Sequence, residues 1–389
     1  MMTKSKLKEK LAQATAVLKW CLKSEDARRI NAMLEMAKSE PGIPILPEEM
    51  DRDSWLFNCL NGTLELKTGR LREHRREDYI TLLCPVEYHP AAQAPRFQTL
   101  LQEIFNSDDD LIGYLQRLAG RCLTGDVSEQ ALHIFWGTGA NGKSTLLNVL
   151  LEMLGPDYGM KAPTELLMAR RGEAHPTERA DLFGKRLMVC AETEEGRRLA
   201  EAFVKELTGG DRIRARRMRE DFWEFMPTHK VILCTNHKPA IRGTDHAIWR
   251  RVRLVPFTVT FAEDQQDKQL PEKLRAELPG ILAWAVEGCL EWQRSGMQTP
   301  KSVLVATEEY RTGEDTLAQW LAQCCKIHDT YRQKASELYV SYHAWCEQGG
   351  ERPRSQRVFG EAMTERGFKR MTSNGVWYLG VRLEPVSIW

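Results

Sequence analysis

Nine consecutive residues, Gly137-Thr138-Gly139-Ala140-Asn141-Gly142-Lys143-Ser144-Thr145, read G-x-x-x-x-G-K-S. Glycines let a backbone curl so that successive N–H groups point inward at phosphate oxygens. The lysine then reaches the β- and γ-phosphates, and the serine hydroxyl binds Mg²⁺. Such a loop works only between a strand and a helix. An apolar run over residues 131–136 supplies the first and another over 146–151 the second. Residues 137–145 are therefore expected to hold a nucleoside triphosphate. A glycine-rich surface turn that contains lysine by chance is the competing reading.

Residues 186–191 form a second apolar run, of the kind buried in a parallel sheet, and it ends in Glu192-Thr193-Glu194-Glu195. Side chains alternate along a strand, so Glu192 and Glu194 share a face. One carboxylate there can hold the Mg²⁺ hydration shell while the other polarises an attacking water; a plain charged loop is the alternative. Five arginines (Arg212, Arg214, Arg216, Arg217 and Arg219) then fall within eight positions, shortly after Lys205. Arg212 and Arg214 alternate with Ile213 and Ala215, which predicts a strand entering a hairpin whose return begins at Phe222 and Trp223. A basic, aromatic-flanked hairpin suits a nucleic-acid backbone; a solvated charged strand fits the same residues. A further buried strand ends at Thr235-Asn236. Asn236 can sense a γ-phosphate, or simply make a turn. Arg250 and Arg251 precede the next strand, where an arginine can reach a neighbouring subunit's nucleotide or belong to a surface basic cluster.

The remaining composition sets bounds. The chain has 389 residues, 42% hydrophobic and 28% charged, with net charge +1. That length allows two or three domains. No apolar run reaches the roughly 18 residues of a membrane span, and no signal-peptide pattern opens the chain. The ten cysteines are scattered without a C-x-x-C pair, so a reduced, cytoplasmic protein is expected. With so small a net charge, any nucleic-acid surface must be a local basic patch.

Residues 5–40 have helical periodicity, and the reading favoured is an amphipathic helix packed on its own chain rather than on a partner. Residues 58–69 predict a hairpin with turns at Asn61-Gly62 and Thr68-Gly69, and 80–85 a further short strand. Residues 97–123 predict two helices, the second capped from Ser107 to Asp110, and 163–167 the start of another. Near the C-terminus, 317–325, 335–346 and the stretch after Ser355 predict helices. Residues 367–371 and 376–379 predict two strands joined by the Ser373-Asn374-Gly375 turn. Arg354, Arg357, Lys369 and Arg370 are candidate phosphate contacts there; a protein-docking role is the alternative.

Residues 137–145, 186–194, 205–211 (K-x-x-T-G-G-D), 234–236 and 248–257, in this order, resemble superfamily 3 helicases. More narrowly they resemble the helicase part of phage and plasmid primase-helicases, the D5-like and P4-like group. The hairpin at 58–69 and the helices to Leu123 resemble the region that precedes the motor in this group. The resemblance implies an α/β fold: an AAA+-like P-loop ATPase core over 126–262, preceded by an N-terminal helical segment (1–50) and a hairpin and helical collar (51–125). A helical linker (263–312) and a C-terminal winged-helix domain (313–389) follow. It implies ATP and Mg²⁺ as cofactors, a homo-oligomeric ring, usually a hexamer, and 3′ to 5′ movement on single-stranded or forked DNA.

On this mapping residues 137–145 bind ATP, with Lys143 and Ser144 on phosphate and Mg²⁺. Glu192 and Glu194 are the acidic pair, Glu192 shares the metal, and Asn236 is the sensor. Arg251 is the first choice for the finger and Arg250 the second. The hairpin arginines, with Lys205, carry DNA. The fifty residues ahead of the hairpin segment hold no zinc-ligand cluster or acidic polymerase constellation, so primer synthesis is expected from a separate primase. Two other functions fit the residues: an ATP-driven DNA-binding, remodelling or loading factor without processive unwinding, and a winged-helix regulator controlled by nucleotide.

Overall fold

The computed structural model describes residues 4–170, 176–191, 195–241, 246–349 and 351–384. Two compact units divide the chain. The first comprises residues 1–53 and 75–81, the second residues 54–74 and 82–389.

The first unit holds helices α1 (Lys4–Ser24) and α2 (Ala27–Ala37), the latter capped by the Asp26 carboxylate on the Arg28 N–H. Residues 75–81 return to it, where Asp51 accepts a hydrogen bond from the Thr81 amide at 2.7 Å. The expected packing of the apolar stripe is absent within this unit. Leu7, Leu11, Leu18 and Leu22 are all exposed, because neither α2 nor the returning segment covers them.

The second unit opens with a meander, β1 (Leu56–Cys59), β2 (Gly62–Glu65) and β3 (Arg70–Arg72), which turns where the glycines predict. Residues 80–85, expected as a strand, make only a single bridge from Cys84 to Cys59. Helices α3 (Pro95–Ile104) and α4 (Asp109–Arg121) follow, α4 capped by Asp108 on the Leu111 N–H at 3.0 Å.

Five strands then build one sheet. They are β4 (Leu132–Trp136), β5 (Gly159–Ala162), β6 (Leu187–Ala191), β9 (Lys230–Thr235) and β10 (Val252–Pro256), in the spatial order β10-β4-β9-β6-β5, every pair parallel. Between β4 and β5 runs α5 (Lys143–Tyr158), and between β5 and β6 the short α6 (Pro176–Ala180). The helix expected from residue 163 is a single 3₁₀ turn, Thr164–Leu166. Between β6 and β9 come α7 (Glu201–Gly209) and an antiparallel hairpin of β7 (Ile213–Ala215) and β8 (Trp223–Phe225); α8 (His246–Trp249) precedes β10.

Alternation along the strands divides the core in two. Phe135, Val189, Ile232 and Val255 face one side, with α3, α4, α5 and a later helix over residues 278–295. Ile134, Cys190, Leu233 and Leu254 face the other, with α7, α8 and the hairpin. Covering both faces is what an all-parallel sheet of continuous apolar strands requires.

Residues 263–312, expected as a helical linker, form helices that pack on the elements before them. After α9 (Leu270–Ala276), α10 (Leu278–Ser295) crosses α4 so closely that a Cβ on Gly120 would collide with the backbone of Gly288 and Cys289, and one on Gly288 with Gln116. Glycine at both positions allows that approach. Helix α11 (Lys301–Glu314) lies along β10, and the Thr307 hydroxyl accepts from the Leu254 N–H at 2.9 Å.

The C-terminal elements have their own core. Helix α12 (Thr316–Cys324), strand β11 (Cys325–Lys334), helices α13 (Ala335–Gln348) and α14 (Gln356–Glu365), and strands β12 (Arg370–Thr372) and β13 (Val376–Leu383) enclose Trp320, Tyr342, Phe359 and Tyr378. Strand β11, absent from the sequence expectation, makes this a three-stranded sheet of order β11-β13-β12. Among the described residues no helix is long and apolar enough to cross a membrane, and no two cysteines form a disulfide.

Candidate nucleotide-binding site and basic hairpin

The glycine loop leaves the C-terminal edge of β4, where Trp136 is in register with Thr235 of β9 and Pro256 of β10. Parallel α/β sheets place ligands at this edge. The Phe257 carbonyl stands where a Cβ of residue 137 would lie, so only glycine fits. Gly142 has a positive φ of 79° and caps α5, turning the helix N-terminus toward the loop. Helix N-termini favour anions through free N–H groups and the helix dipole.

Lys143 is buried and folds its ammonium back over the loop. Its Nζ donates to the Gly137 carbonyl at 2.8 Å, Asn141 Oδ1 at 2.9 Å and Asn236 Oδ1 at 3.0 Å. Burial holds its pKa below the ordinary lysine value, with Cys234 acting weakly the other way. Strand order alone thus brings Asn236, 93 residues away, to the motif lysine. The Asn236 carbonyl in turn accepts from the Trp136 indole at 3.1 Å. Thr138, Ala140 and Ser144 are exposed, while Gly137 and Asn141 are buried.

Strand β6 ends at Ala191, level with Cys234 and one strand from the asparagine. Glu192 and Glu194, expected as the acidic pair, lie outside the described residues. Among the described residues no group of three or more His, Cys, Asp or Glu side chains is placed to hold a metal ion.

Beside the loop opens a cavity of about 640 Å³, between α3 and residues 259–271. Leu100, Phe261 and Leu270 give it apolar walls, Gln265 a polar one, and Ala140 and Thr145 join it to the loop. The Phe261 N–H donates to the Ala140 carbonyl at 2.7 Å, fastening cavity wall to loop. Its size and mixed lining are those of a small-molecule site. Sequence reasoning missed this cavity, because residues 259–271 carry no motif.

The two arginines ahead of β10 sit at the other end of the sheet. The Arg251 carbonyl accepts from Leu132 N–H, the first residue of β4. Arg251 is buried, donating to the Ala247 carbonyl at 2.7 Å and to Gln130 Oε1 at 3.3 Å. Arg250 is exposed and reaches the same Gln130 oxygen at 3.4 Å. The length of β4, roughly 13 Å at 3.3 Å per residue, separates both from the loop of their own chain.

The hairpin forms as its alternation predicts. Ile213, Ala215 and Phe225 are buried, and Trp223 and Phe225 pack edge-on against Phe183 with centroids 4.9 and 5.6 Å away. Arg212, Arg214, Arg216, Arg217 and Arg219 are all exposed. Arg214 and Arg216 stack on the Phe222 ring at 4.4 and 4.8 Å. Lys205 lies apart from the hairpin strands, on α7.

A family model described as D5 N terminal like matches residues 2–106, and a family of unknown function, DUF5906, matches residues 135–251. Over 327 residues the chain is 27% identical to an inferred helicase of Acanthamoeba polyphaga mimivirus, an alignment covering 78% of this chain and 34% of that protein. Over 238 residues it is 26% identical to an inferred primase of African swine fever virus (isolate Warthog), covering 58% and 24%. The chain thus spans well under half the length of either viral protein. The apo structure of the NrS-1 C-terminal region (305–718) is similar with a TM-score of 0.47 and 12% identity, over 76% of this chain and 77% of that one. The D5-type match at the N-terminal end and the two viral likenesses agree: what this chain is similar to, at both levels, is the D5-like primase-helicases.

Proposed function

We propose that this chain is the motor of an ATP-dependent replicative DNA helicase of phage, prophage or plasmid type. The observation that carries the reading is the Lys143 ammonium, held by Gly137, Asn141 and Asn236 at the open edge of a parallel sheet. An arriving triphosphate offers charged oxygens in place of those three neutral acceptors, a charge-assisted exchange. The loop amides and the α5 N-terminus hold the phosphates, and the cavity against α3 takes the nucleoside. Asn236, released from Lys143, is placed to hydrogen-bond a γ-phosphate oxygen or the attacking water.

The exposed Ser144 hydroxyl in the first turn of α5 suits Mg²⁺ bound to the phosphates, with Glu192 as its carboxylate partner; the ion would spread the charge of the transferring group. Glu194 orients the water. Arg250, exposed and remote from its own loop, serves the nucleotide of a neighbouring subunit. Arg251, its buried neighbour, sets the geometry. The subunits would form a ring, a hexamer in the first instance, with the hairpin arginines on single-stranded DNA and movement 3′ to 5′. The ATPase core spans 126–262, and the C-terminal elements are of winged-helix type.

ATP hydrolysis by the purified chain, with and without single-stranded DNA, tests the reading. Turnover stimulated by DNA and abolished by Lys143→Ala supports it. Turnover indifferent to DNA would favour a regulator instead. Strand displacement on a forked substrate separates unwinding from remodelling or loading.

A further inference from the structure

Where β13 runs through residues 376–379, the sheet β11-β13-β12 has one covered face and one open face; Gly380, at a positive φ of 87°, interrupts the alternation, and Val381 beyond it is buried with the helices. Tyr378 is buried among Trp320, Tyr342 and Phe359, so its side of the sheet carries the helices. Opposed residues of an antiparallel ladder share a face, and neighbours along a strand do not. Trp377 pairs with Lys334 on one side and Met371 on the other, and Leu379 pairs with Arg332. These five side chains therefore lie on the face opposite Tyr378. None of the apolar three belongs to the domain's buried cluster, and Arg332 is exposed.

The Trp377 ring is held in place. Its indole N–H donates to the Ser373 carbonyl at 2.8 Å across the turn. Arg332 and Lys334 lie over the ring, 5.4 and 5.6 Å from its centroid. The hairpin at Phe222 has the same construction, one partly exposed aromatic ring with two cations on it. A fixed aromatic face flanked by cations suits unpaired bases, which stack on the ring while their phosphates meet the charges. Duplex DNA keeps its base faces internal and has no use for the ring.

We propose that this open face is a second single-stranded DNA site, with Trp377 as the stacking platform and Arg332 and Lys334 as its phosphate contacts. It lies across the sheet from the helices and includes none of Arg354, Arg357, Lys369 and Arg370, the phosphate contacts expected from the sequence. The inference rests on the reading that this chain handles single strands.

The full chain is titrated against fluorescein-labelled oligothymidylate and against a labelled duplex by anisotropy, and the unmodified chain is photocrosslinked to a 5-iododeoxyuridine oligonucleotide. Trp377→Ala is expected to weaken single-strand binding at least about fivefold, the lower bound for one stacked base, with Trp377→Phe restoring most of it. Arg332→Ala with Lys334→Ala should flatten the salt dependence by about 1.4 in log–log slope, for two phosphates. A crosslink in the peptide carrying Trp377 supports the site even if a variant folds poorly. Crosslinks confined to residues 212–222, with both variants binding as the parent does, would overturn it. So would an equal loss of duplex binding, which means a duplex-docking face. DNA-stimulated turnover, read separately, tells failure of this site from failure of the motor reading.

Discussion

Arg250 and Arg251 are adjacent in sequence and opposite in environment, which allows their roles to be separated by substitution. Arg251→Ala removes a buried guanidinium that donates to the Ala247 carbonyl at 2.7 Å and to Gln130 at 3.3 Å. Hydrogen bonds from charged donors contribute about 1.5–3 kcal/mol each. Ala247 is only partly buried, so water can replace the donor there, and the lower end applies. A loss of about 3 kcal/mol is expected, a fall of roughly 6–12 °C in melting temperature at this domain size. Arg250→Ala removes an exposed side chain with one long contact and should change stability by less than about 0.5 kcal/mol. If Arg250 serves a neighbouring nucleotide, its loss lowers kcat by about 10³-fold or more with melting unchanged. An equal mixture of Arg250→Ala and Glu192→Gln subunits then regains activity. An interface is intact when both its halves come from the right parent, one half times one half, or about a quarter of wild-type turnover if interfaces act independently. Differential scanning fluorimetry and a coupled ATPase assay give both readouts. Turnover of Arg250→Ala within twofold of wild type, or a mixture with no recovery, would refute the assignment.

Lys143→Ala should abolish turnover while leaving the fold intact, since of the acceptors it leaves Asn236 is exposed to water and the Asn141 side chain keeps its contact with the Phe257 carbonyl; a cooperative melt beside a null ATPase trace checks this. Exchanging Arg214 and Arg216 for glutamate should weaken oligothymidylate binding and lower the salt slope by about 0.7 per lost phosphate contact, read by anisotropy across a salt series. Stability should rise with pH. Burial brings Lys230 to about 7 and His229 and His133 to about 4 and 3, all below their unfolded values. The unfolded chain therefore binds more protons, through the histidines between about pH 4 and 6.5 and through Lys230 from about 7 to 10. Lys230→Met should flatten the alkaline part of a melting-temperature series, and a curve unchanged by it would contradict that account. Gly120→Ala places a methyl against the α10 backbone and should cost about 1–3 kcal/mol in a urea titration.

What the sequence made legible was local. The strand, glycine loop and helix around Lys143 are contiguous, so their order announces them, and the alternation of Ile213 and Ala215 with arginines announces a strand. The meeting of Lys143 with Asn236 depends on β9 lying beside β4, a consequence of sheet order that no local period encodes. Strand β11 escaped notice because its middle is polar and exposed; Lys326, His328, Asp329 and Thr330 show no apolar alternation, and the strand is held by pairing of Cys325, Lys326 and Ile327 and of Arg332, Gln333 and Lys334 with β13, on either side of a register shift. Burial of Arg251 was likewise hidden, since an arginine's exposure is set by neighbours such as Gln130, distant in sequence. The closely apposed helices α4 and α10 were legible only as a lone Gly120 and Gly288, whose meaning appears when the two are set against each other.

The two edges of the parallel sheet are built for different demands. At the N-terminal edge, Arg186 and Lys230 stand side by side at the entries of β6 and β9, and donate to the carbonyls of Leu123 and Thr124. Those carbonyls lie just beyond the C-terminus of α4, where helix partial charge is negative and acceptors lack helical partners. Buried cations are costly alone, but here each meets acceptors that would otherwise be unpaired, and the Arg186 guanidinium also lies over the Tyr158 ring at 4.7 Å. The result fastens α4 to two central strands. At the C-terminal edge the contacts of Lys143 are of a different kind: three neutral acceptors on two loops, each of which a phosphate oxygen can replace. If the loop exchanges partners with a nucleotide as proposed, it needs strands that do not move when it does. The N-terminal cluster supplies that fixity, so substitutions at Arg186 or Lys230 should damage turnover through stability, and restoring stability elsewhere in the chain should restore it. On the proposed function the same rescue should fail for Lys143, because the exchange is made by its own ammonium.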